Sequence, residues 1–467
     1  MSMRRRMAKG LVSLLYSRAT VVIGQFIQVP ILTAVWGVKV WGSWLVLTAL
    51  ASFLSYSAIG LTPVVRSEAA MAFGRGDLEH MRKVVSTGLA VVGTVAIVGY
   101  GLFATIALSV NPEHLFKDPV LPTADARFIL LCLGAQIGTN AISGVLYGSL
   151  SGRGSYGLSQ SIDATRVLLE FVVLSSMVLI FRIGPAQAAA IFPVLALGAL
   201  SVAASTHIPR QFRPSLSAVS PSMLRQLWRP MAGGLMLQFS YGTLLIQAPR
   251  LILSQMVGPS AVAMYAVASF VVRPARMVTE TIAMMLPVEF SFSYASGDLM
   301  LTRRLLSNSI MLGGLCALLA SGFLVGLGPI AVKLLSLGAI PVDRLTIAFL
   351  CIGLFAIAFS LAATEFLLSI NRIFGASMLL TLFAAPYVVA SYGMAKGFGL
   401  HGMALSAGLM DCFNAAFTLS VAARCLQTTP WVIISDAFRS PLPLLKQEAG
   451  LIVSKLAPWM RGGRDQA

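Results

Sequence analysis

Charge is the scarcest property of this 467-residue sequence: Asp, Glu, Lys and Arg together make up 11% of it, against 57% hydrophobic residues. That balance excludes an ordinary soluble domain, because no protein core could hold so much apolar surface away from water. Acids are scarcest of all, 17 against 34 Lys and Arg, for a formal net charge of +17. Cysteine occurs only at Cys132, Cys316, Cys351, Cys412 and Cys425, scattered singly, which suggests neither a disulfide framework nor a zinc site. His80, His114, His207 and His401 lie apart, without metal-ligand spacing, so neither a metal nor a cofactor is expected. No G-x-x-x-x-G-K-S/T loop is present, and ATP hydrolysis is therefore not encoded.

What the sequence has is length in its apolar runs. Twelve of them, each able to cross a ~30 Å hydrocarbon core, cover 11–36, 42–64, 84–109, 126–149, 157–181, 186–206, 229–256, 261–287, 305–331, 345–369, 374–395 and 400–424. The fold class is an all-α polytopic membrane protein, with both termini on one side. Arg4, Arg5, Arg6 and Lys9 before the first run resemble the start of a signal peptide, but the run is long and eleven more follow, so it reads as a retained anchor. Twenty-two of the basic residues fall on the amino-terminal side of the membrane, seven on the other and five inside spans. By the positive-inside rule both termini are cytoplasmic. The net charge is then a basic cytoplasmic face near anionic lipid headgroups, with no need for nucleic acid.

The chain also repeats itself. At an offset of 221, spans 1–3 align without gaps on spans 7–9: Gly37 with Gly258, Trp44 with Tyr265, Glu68 with Glu289, Gly76-Asp77 with Gly297-Asp298, Arg82-Lys83 with Arg303-Arg304. The organisation is therefore a six-span bundle over 1–206, a basic cytoplasmic linker over 207–228, a second six-span bundle over 229–424, and a tail over 425–467. Glu68 and Glu289 read as ion-paired with nearby Arg, ahead of a role as gate elements. In the tail, Leu445, Ala449, Ile452, Leu456 and Trp459 form an amphipathic stripe expected on the cytoplasmic leaflet. Parallel repeats suit alternating access, in which one bundle rocks against the other around a site at their interface.

Trp41-Gly42-Ser43-Trp44, Gly60-Leu61, Arg66, Gly76-Asp77 and Leu150-Ser151-Gly152-Arg153 together resemble the pattern of Wzx-type polysaccharide flippases of the MOP superfamily. Gly258, Tyr265-Ala266-Val267-Ala268, Pro287 and Gly297-Asp298 extend the resemblance to the second half. One departure is Ala58, where the family often carries an acid to which a coupling role would attach. The resemblance implies a V-shaped pair of bundles around a cavity lined chiefly by spans 1, 2, 7 and 8. It also implies a cargo, an undecaprenyl-pyrophosphate-linked oligosaccharide moved from the cytoplasmic to the periplasmic leaflet of the bacterial inner membrane.

The five basic residues inside spans carry the functional argument. A lipid-facing Arg near mid-bilayer costs ~2.5–3.5 kcal/mol, so each should face protein or water. Arg273, Arg276 and Glu280 in span 8 lie on one helical face, and Arg273 is roughly 18 Å down the axis from Ala261 at about 1.5 Å per residue. The first half has only Ser52, Ser55 and Ile59 at those positions. With Arg250 in span 7 and Arg18 in span 1, this face makes a basic pocket, which suits a polyprenyl diphosphate. The bland readings are an Arg276–Glu280 pair within the helix and snorkelling of Arg18 and Arg250 to the interface. Asp163, Arg166 and Glu170 in span 5 read as a self-neutralised network. Glu170 and Asp411 are also deep acids of the kind that proton or sodium coupling would need.

A flippase for lipid-linked oligosaccharide, working beside a glycan polymerase and a chain-length regulator in O-antigen, capsule or exopolysaccharide assembly, is the expected function. Two alternatives stay open: a MATE-like drug or metabolite exporter, and an integral-membrane glycan polymerase, whose catalytic loop would have to be the short 110–125 segment. In a background lacking the native cysteines, a membrane-impermeant thiol reagent is expected to label Cys introduced at Glu113 in intact cells and to spare Cys at Gly76 or Pro214. The reverse pattern would invert the topology.

Overall fold

The computed structural model describes residues 3–439 except 60–61, 75, 207–212, 238, 241–245, 285, 287–288, 291–292, 295–296 and 371. The amphipathic stripe from Leu445 to Trp459, Gly60-Leu61 and Pro287 lie outside the described residues. Among the described residues nine helices are long and apolar enough to cross a membrane. Two of these pass through a glycine in a conformation that residues with a Cβ rarely adopt: Gly37 (φ 79°, ψ 162°) in Met3–Ile59, and Gly399 (φ 55°, ψ −128°) in Phe374–Cys425. Each therefore holds two spans, 1 with 2 and 11 with 12. Span 7 is described as two helices, Pro221–Leu237 and Ile246–Met256. The result is twelve spans in two six-helix bundles. Span 2 ends earlier than the hydropathy suggests, at Ile59, with a separate helix over Thr62–Gly74.

The repeat is visible in the backbone. Gly37 and Gly258 both take positive φ before spans 2 and 8, and Gly76 and Gly297 take φ 77° and 78° before spans 3 and 9. Asp77 and Asp298 then cap those spans in the same way, each carboxylate accepting from the backbone N–H three residues on, His80 and Leu301, at 2.9 Å. Identical turns on non-identical helices are what a duplicated scaffold retains when its side chains diverge.

Lipid accounts for the outer surface: Ile97, Ile180 and Val389 are 71%, 68% and 72% exposed, which water would not tolerate in such numbers. Helices in lipid gain little from hydrophobic contact with one another, so small residues set how closely they approach. At the seam between the bundles a Cβ on Gly42 would overlap the Pro259 carbonyl. Around that contact the ends of spans from both bundles join in one core containing Trp41, Trp44, Val262 and Ala266. The 110–122 loop reinforces it, with Lys117 N–H donating to the Ser254 carbonyl at 3.1 Å and the Ser254 hydroxyl donating to the Leu115 carbonyl at 2.7 Å. The loops that the charge count assigns to the periplasm thus gather at one closed end.

At the opposite end, Arg82 donates to the Arg213 carbonyl at 2.9 Å and to Ser215 Oγ at 3.0 Å, fastening the linker to span 3. The helix Pro430–Arg439 docks on span 9 through Arg303–Asp436 at 2.9 Å and a buried Ile433. Glu68 and Glu289 have no ion pair among the described residues; Glu289 is exposed at its helix end.

Asp343 ties spans 10 and 12 at the closed end, accepting from the Thr346 hydroxyl at 2.6 Å and from His401 Nε2 at 2.7 Å. Burial opposes its charge, but the Thr346 and His401 hydrogen bonds outweigh it and hold the carboxyl below its ordinary value of 3.8. The stabilisation is complete above that pH and is lost as pH falls through the lowered value. Asp343→Ala is expected to cost about 1 kcal/mol at pH 7, the usual worth of a helix cap, read as a lowered melting temperature in detergent. A melting temperature equal to wild type at pH 7 would show that the cap contributes nothing.

Candidate functional site

Spans 10 and 12 decide where the site lies. Gly353 and Gly408 face each other, so that a Cβ on Gly353 would come within 2.6 Å of Asp411 Oδ2, and one on Gly408 within 2.6 Å of the Phe349 carbonyl. This close packing brings Asp411 behind span 8. The space left in front is a cavity of about 300 Å³, walled by span 8 (Tyr265, Arg273, Arg276, Glu280), Arg250 of span 7, Leu354 and Ile357 of span 10, Asp411 of span 12, and Arg18 from the first bundle. The described walls come from spans 1, 7, 8, 10 and 12, so spans 10 and 12 join those that the resemblance implies; the side chains of 54–60 in span 2 lie outside the described residues. The reason is the glycine contact, which lets two further helices reach the cavity.

Glu280 organises the charges. Its Oε2 accepts from Arg18 Nη1 at 2.9 Å and its Oε1 from Arg276 Nε at 3.2 Å. The pair within span 8 is therefore present, and it is joined by a cation from the other bundle. Arg18 does not snorkel; it crosses the boundary between the lobes. Arg250 also turns inward, its Nη1 donating to the buried Gln247 Oε1 at 3.2 Å. Arg273 lines the cavity, stays accessible to solvent, and has no hydrogen bond or ion pair among the described residues. Four arginines against two carboxylates leave the cavity with a formal excess of two positive charges.

Ser52, the counterpart of Arg273 in the first half, spends its hydroxyl on the Thr48 carbonyl at 2.7 Å. The cationic face is confined to the second bundle. Glu170 is not in this cavity. It closes a network in the first bundle, accepting from Arg166 at 2.6 Å and from Gln136 Nε2 at 3.1 Å, while Asp163 holds Arg166 from the other side at 3.0 Å.

Sequence reasoning passed over Glu365 in span 10, whose charged neighbours are Arg66 of the first bundle and Glu280 of the cavity. Its signal was plain: a lone acid in a long apolar run. The sequence marks Tyr265 as the repeat mate of Trp44 and as part of the family resemblance, and gives it no place in the site. In the structure it lines the cavity, whereas Trp44 packs on Trp36 at 5.5 Å and on Phe192 at 6.0 Å.

No protein-family model matches the sequence, and no curated protein matches it. Solved structures do. A multidrug resistance MATE family transporter of the MOP superfamily in an inward-facing conformation superposes with a TM-score of 0.66 at 16% identity, covering 93% of this chain and 99% of that one. A mutant of the Vibrio cholerae MATE transporter VcmN gives 0.66 at 14%, covering 94% and 97%. A MOP superfamily transporter from Pyrococcus furiosus, for which a reversed binding-pocket polarity suggests a different function, gives 0.61 at 14%, covering 88% and 96%. At such identities the likeness is one of architecture: this chain has the multi-pass membrane fold of the MATE transporters of the MOP superfamily.

Proposed function

We propose that the protein is a flippase that moves a polyprenyl-diphosphate-linked oligosaccharide from the cytoplasmic to the periplasmic leaflet of a bacterial inner membrane, by alternating access. The observation that carries this reading is the cluster of Arg18, Arg250, Arg273 and Arg276 around one cavity with only Glu280 and Asp411 to oppose it. Guanidinium groups bind phosphate oxygens through short, charge-assisted and often bidentate contacts. A diphosphate would meet the unpaired Arg273 first and then compete with Glu280 for Arg276 and Arg18. At about 300 Å³ the cavity is at the small end of ligand pockets. It suits a charged head group, with the prenyl chain left in lipid and the glycan outside the arginine ring.

The seam at Gly42 and Pro259 seals the end assigned to the periplasm, so this state would accept cargo from the cytoplasm. Displacing Glu280 from Arg18 removes one tie between the lobes, which is the kind of differential contact a rocking transition requires. Asp411 is assigned the coupling role for a proton or sodium ion, because it lines the same cavity as Arg276. Glu170, already held by Arg166 and Gln136, is the weaker candidate. A glycan polymerase and a chain-length regulator would be its partners, with surface polysaccharide the end product.

A MATE-like exporter of drugs or metabolites is the second reading, and the architectural likeness favours it. A lipophilic cation would meet four arginines, so under that reading the cargo should be anionic.

Arg273→Ala and Arg276→Ala are each expected to lower surface polysaccharide at normal expression by about tenfold or more, the worth of one charged hydrogen bond of roughly 1.5–3 kcal/mol. Lys variants, which keep charge and lose the fork, should fall between. Ala variants that express normally and support full polysaccharide would overturn the reading.

A further inference from the structure

A second cavity, of about 390 Å³, lies within the first bundle between the helix Thr62–Gly74 and spans 4 and 5. Its chemistry is the opposite of the arginine cavity. The walls carry Thr62, Asn140, Ser143, Ser151, Ser159 and Gln160, all neutral. Asp163 and Arg166 also reach it and neutralise each other at 3.0 Å, which leaves Arg66 as the net charge on the described walls.

Much of this polar capacity is unspent. The Ser143, Ser151 and Ser159 hydroxyls donate to the Thr139 and Tyr147 carbonyls, which leaves their oxygens free to accept. Thr62 and Gln160 make no hydrogen bond among the described residues. Asn140 Oδ1 is buried and has no partner. Buried amides and hydroxyls are costly to a membrane bundle unless something satisfies them. With Arg66 as its single net charge this wall is a weaker phosphate site than the arginine cavity, and among the described residues it gathers no cluster of acids for a metal ion. It matches a ligand that presents many hydroxyls.

The two cavities are neighbours across the lobe boundary. Arg66 lines the first-bundle cavity and Glu280 the arginine cavity, and both lie within electrostatic reach of Glu365. A molecule with an anionic head in the second bundle could extend its next units into the first.

We infer that the first-bundle cavity is a saccharide subsite that receives the sugar joined to the diphosphate, with Asn140 and Gln160 bonding its hydroxyls. This rests on the flippase reading and adds to it a division of labour: the second bundle holds the charge, the first reads the sugar. Selectivity between glycans would then be a property of the first bundle, and substitutions there would change which sugar is accepted without weakening the head group.

Binding of two water-soluble probes to the full-length protein in detergent tests this. One is farnesyl diphosphate; the other is farnesyl diphosphate bearing a single sugar, taken in turn as glucose, galactose and N-acetylglucosamine. Wild type is expected to bind at least one glycosylated probe about tenfold more tightly than the bare diphosphate. Asn140→Leu and Gln160→Leu should each erase that preference and leave the bare probe unchanged, whereas Arg273→Ala should weaken both probes alike. Equal binding of the bare probe and all three glycosylated ones by wild type overturns the subsite, as does a preference that survives in both Leu variants. Failure of wild type to bind even the bare diphosphate instead overturns the flippase reading, and the subsite with it. The Leu variants differ in burial, so that if Asn140→Leu fails to fold, Gln160→Leu, on the following span, still decides.

Discussion

A single carboxylate, Glu280, shared between Arg276 on its own helix and Arg18 on the other bundle, is the constraint on which the interior depends. A guanidinium facing lipid near mid-membrane costs ~2.5–3.5 kcal/mol, so a helix with Arg273 and Arg276 must turn that face toward protein or water. Glu280 answers for two of the cations at 2.9 Å and 3.2 Å, and in doing so links the lobes. The same bond leaves Arg273 uncompensated and accessible. Exchanging a protein carboxylate for a ligand's phosphate would preserve the electrostatics and change the mechanical link. Partial solvent access keeps such an exchange within reach, because water can reach the groups that part.

The two bundles share a scaffold and differ in chemistry. Gly37 and Gly258, Gly76 and Gly297, Asp77 and Asp298 build equivalent turns and caps in each half. Such turns specify where helices begin and say nothing about what they enclose. On that common frame the second bundle carries three of the four cavity arginines, and the first carries Arg18, Ser52 at the position matching Arg273, and a polar cavity between the helix Thr62–Gly74 and spans 4 and 5. A rocking motion needs equivalent lobes, whereas recognition of a molecule with unlike ends needs lobes that differ.

Small residues translate sequence into approach distance. Gly42 lets span 2 meet Pro259 at the closed end, and Gly353 with Gly408 lets spans 10 and 12 nest. Without these contacts the lobes would lose their seal on one face and Asp411 would not reach the cavity. Packing, rather than hydrophobic burial, supplies specificity here, since lipid already satisfies the apolar surface.

The sequence alone determined the twelve spans, the duplication and the basic face of span 8, because each rests on local rules: the length of an apolar run, identity at a fixed offset, and helical spacing. It also determined the Asp163–Arg166–Glu170 pairing, since partners three and four residues apart must share a helix face. What it left open were contacts between distant segments. Arg18 and Glu280 are 262 residues apart, and no periodicity links them. The resemblance implied walls from spans 1, 2, 7 and 8; Gly353 and Gly408 add spans 10 and 12. Asp411 and Glu170 looked alike as deep acids, yet one lines the arginine cavity and the other is bound by Arg166 and Gln136. Only the tertiary structure could separate them, because whether a buried charge is partnered depends on which helices pack behind it.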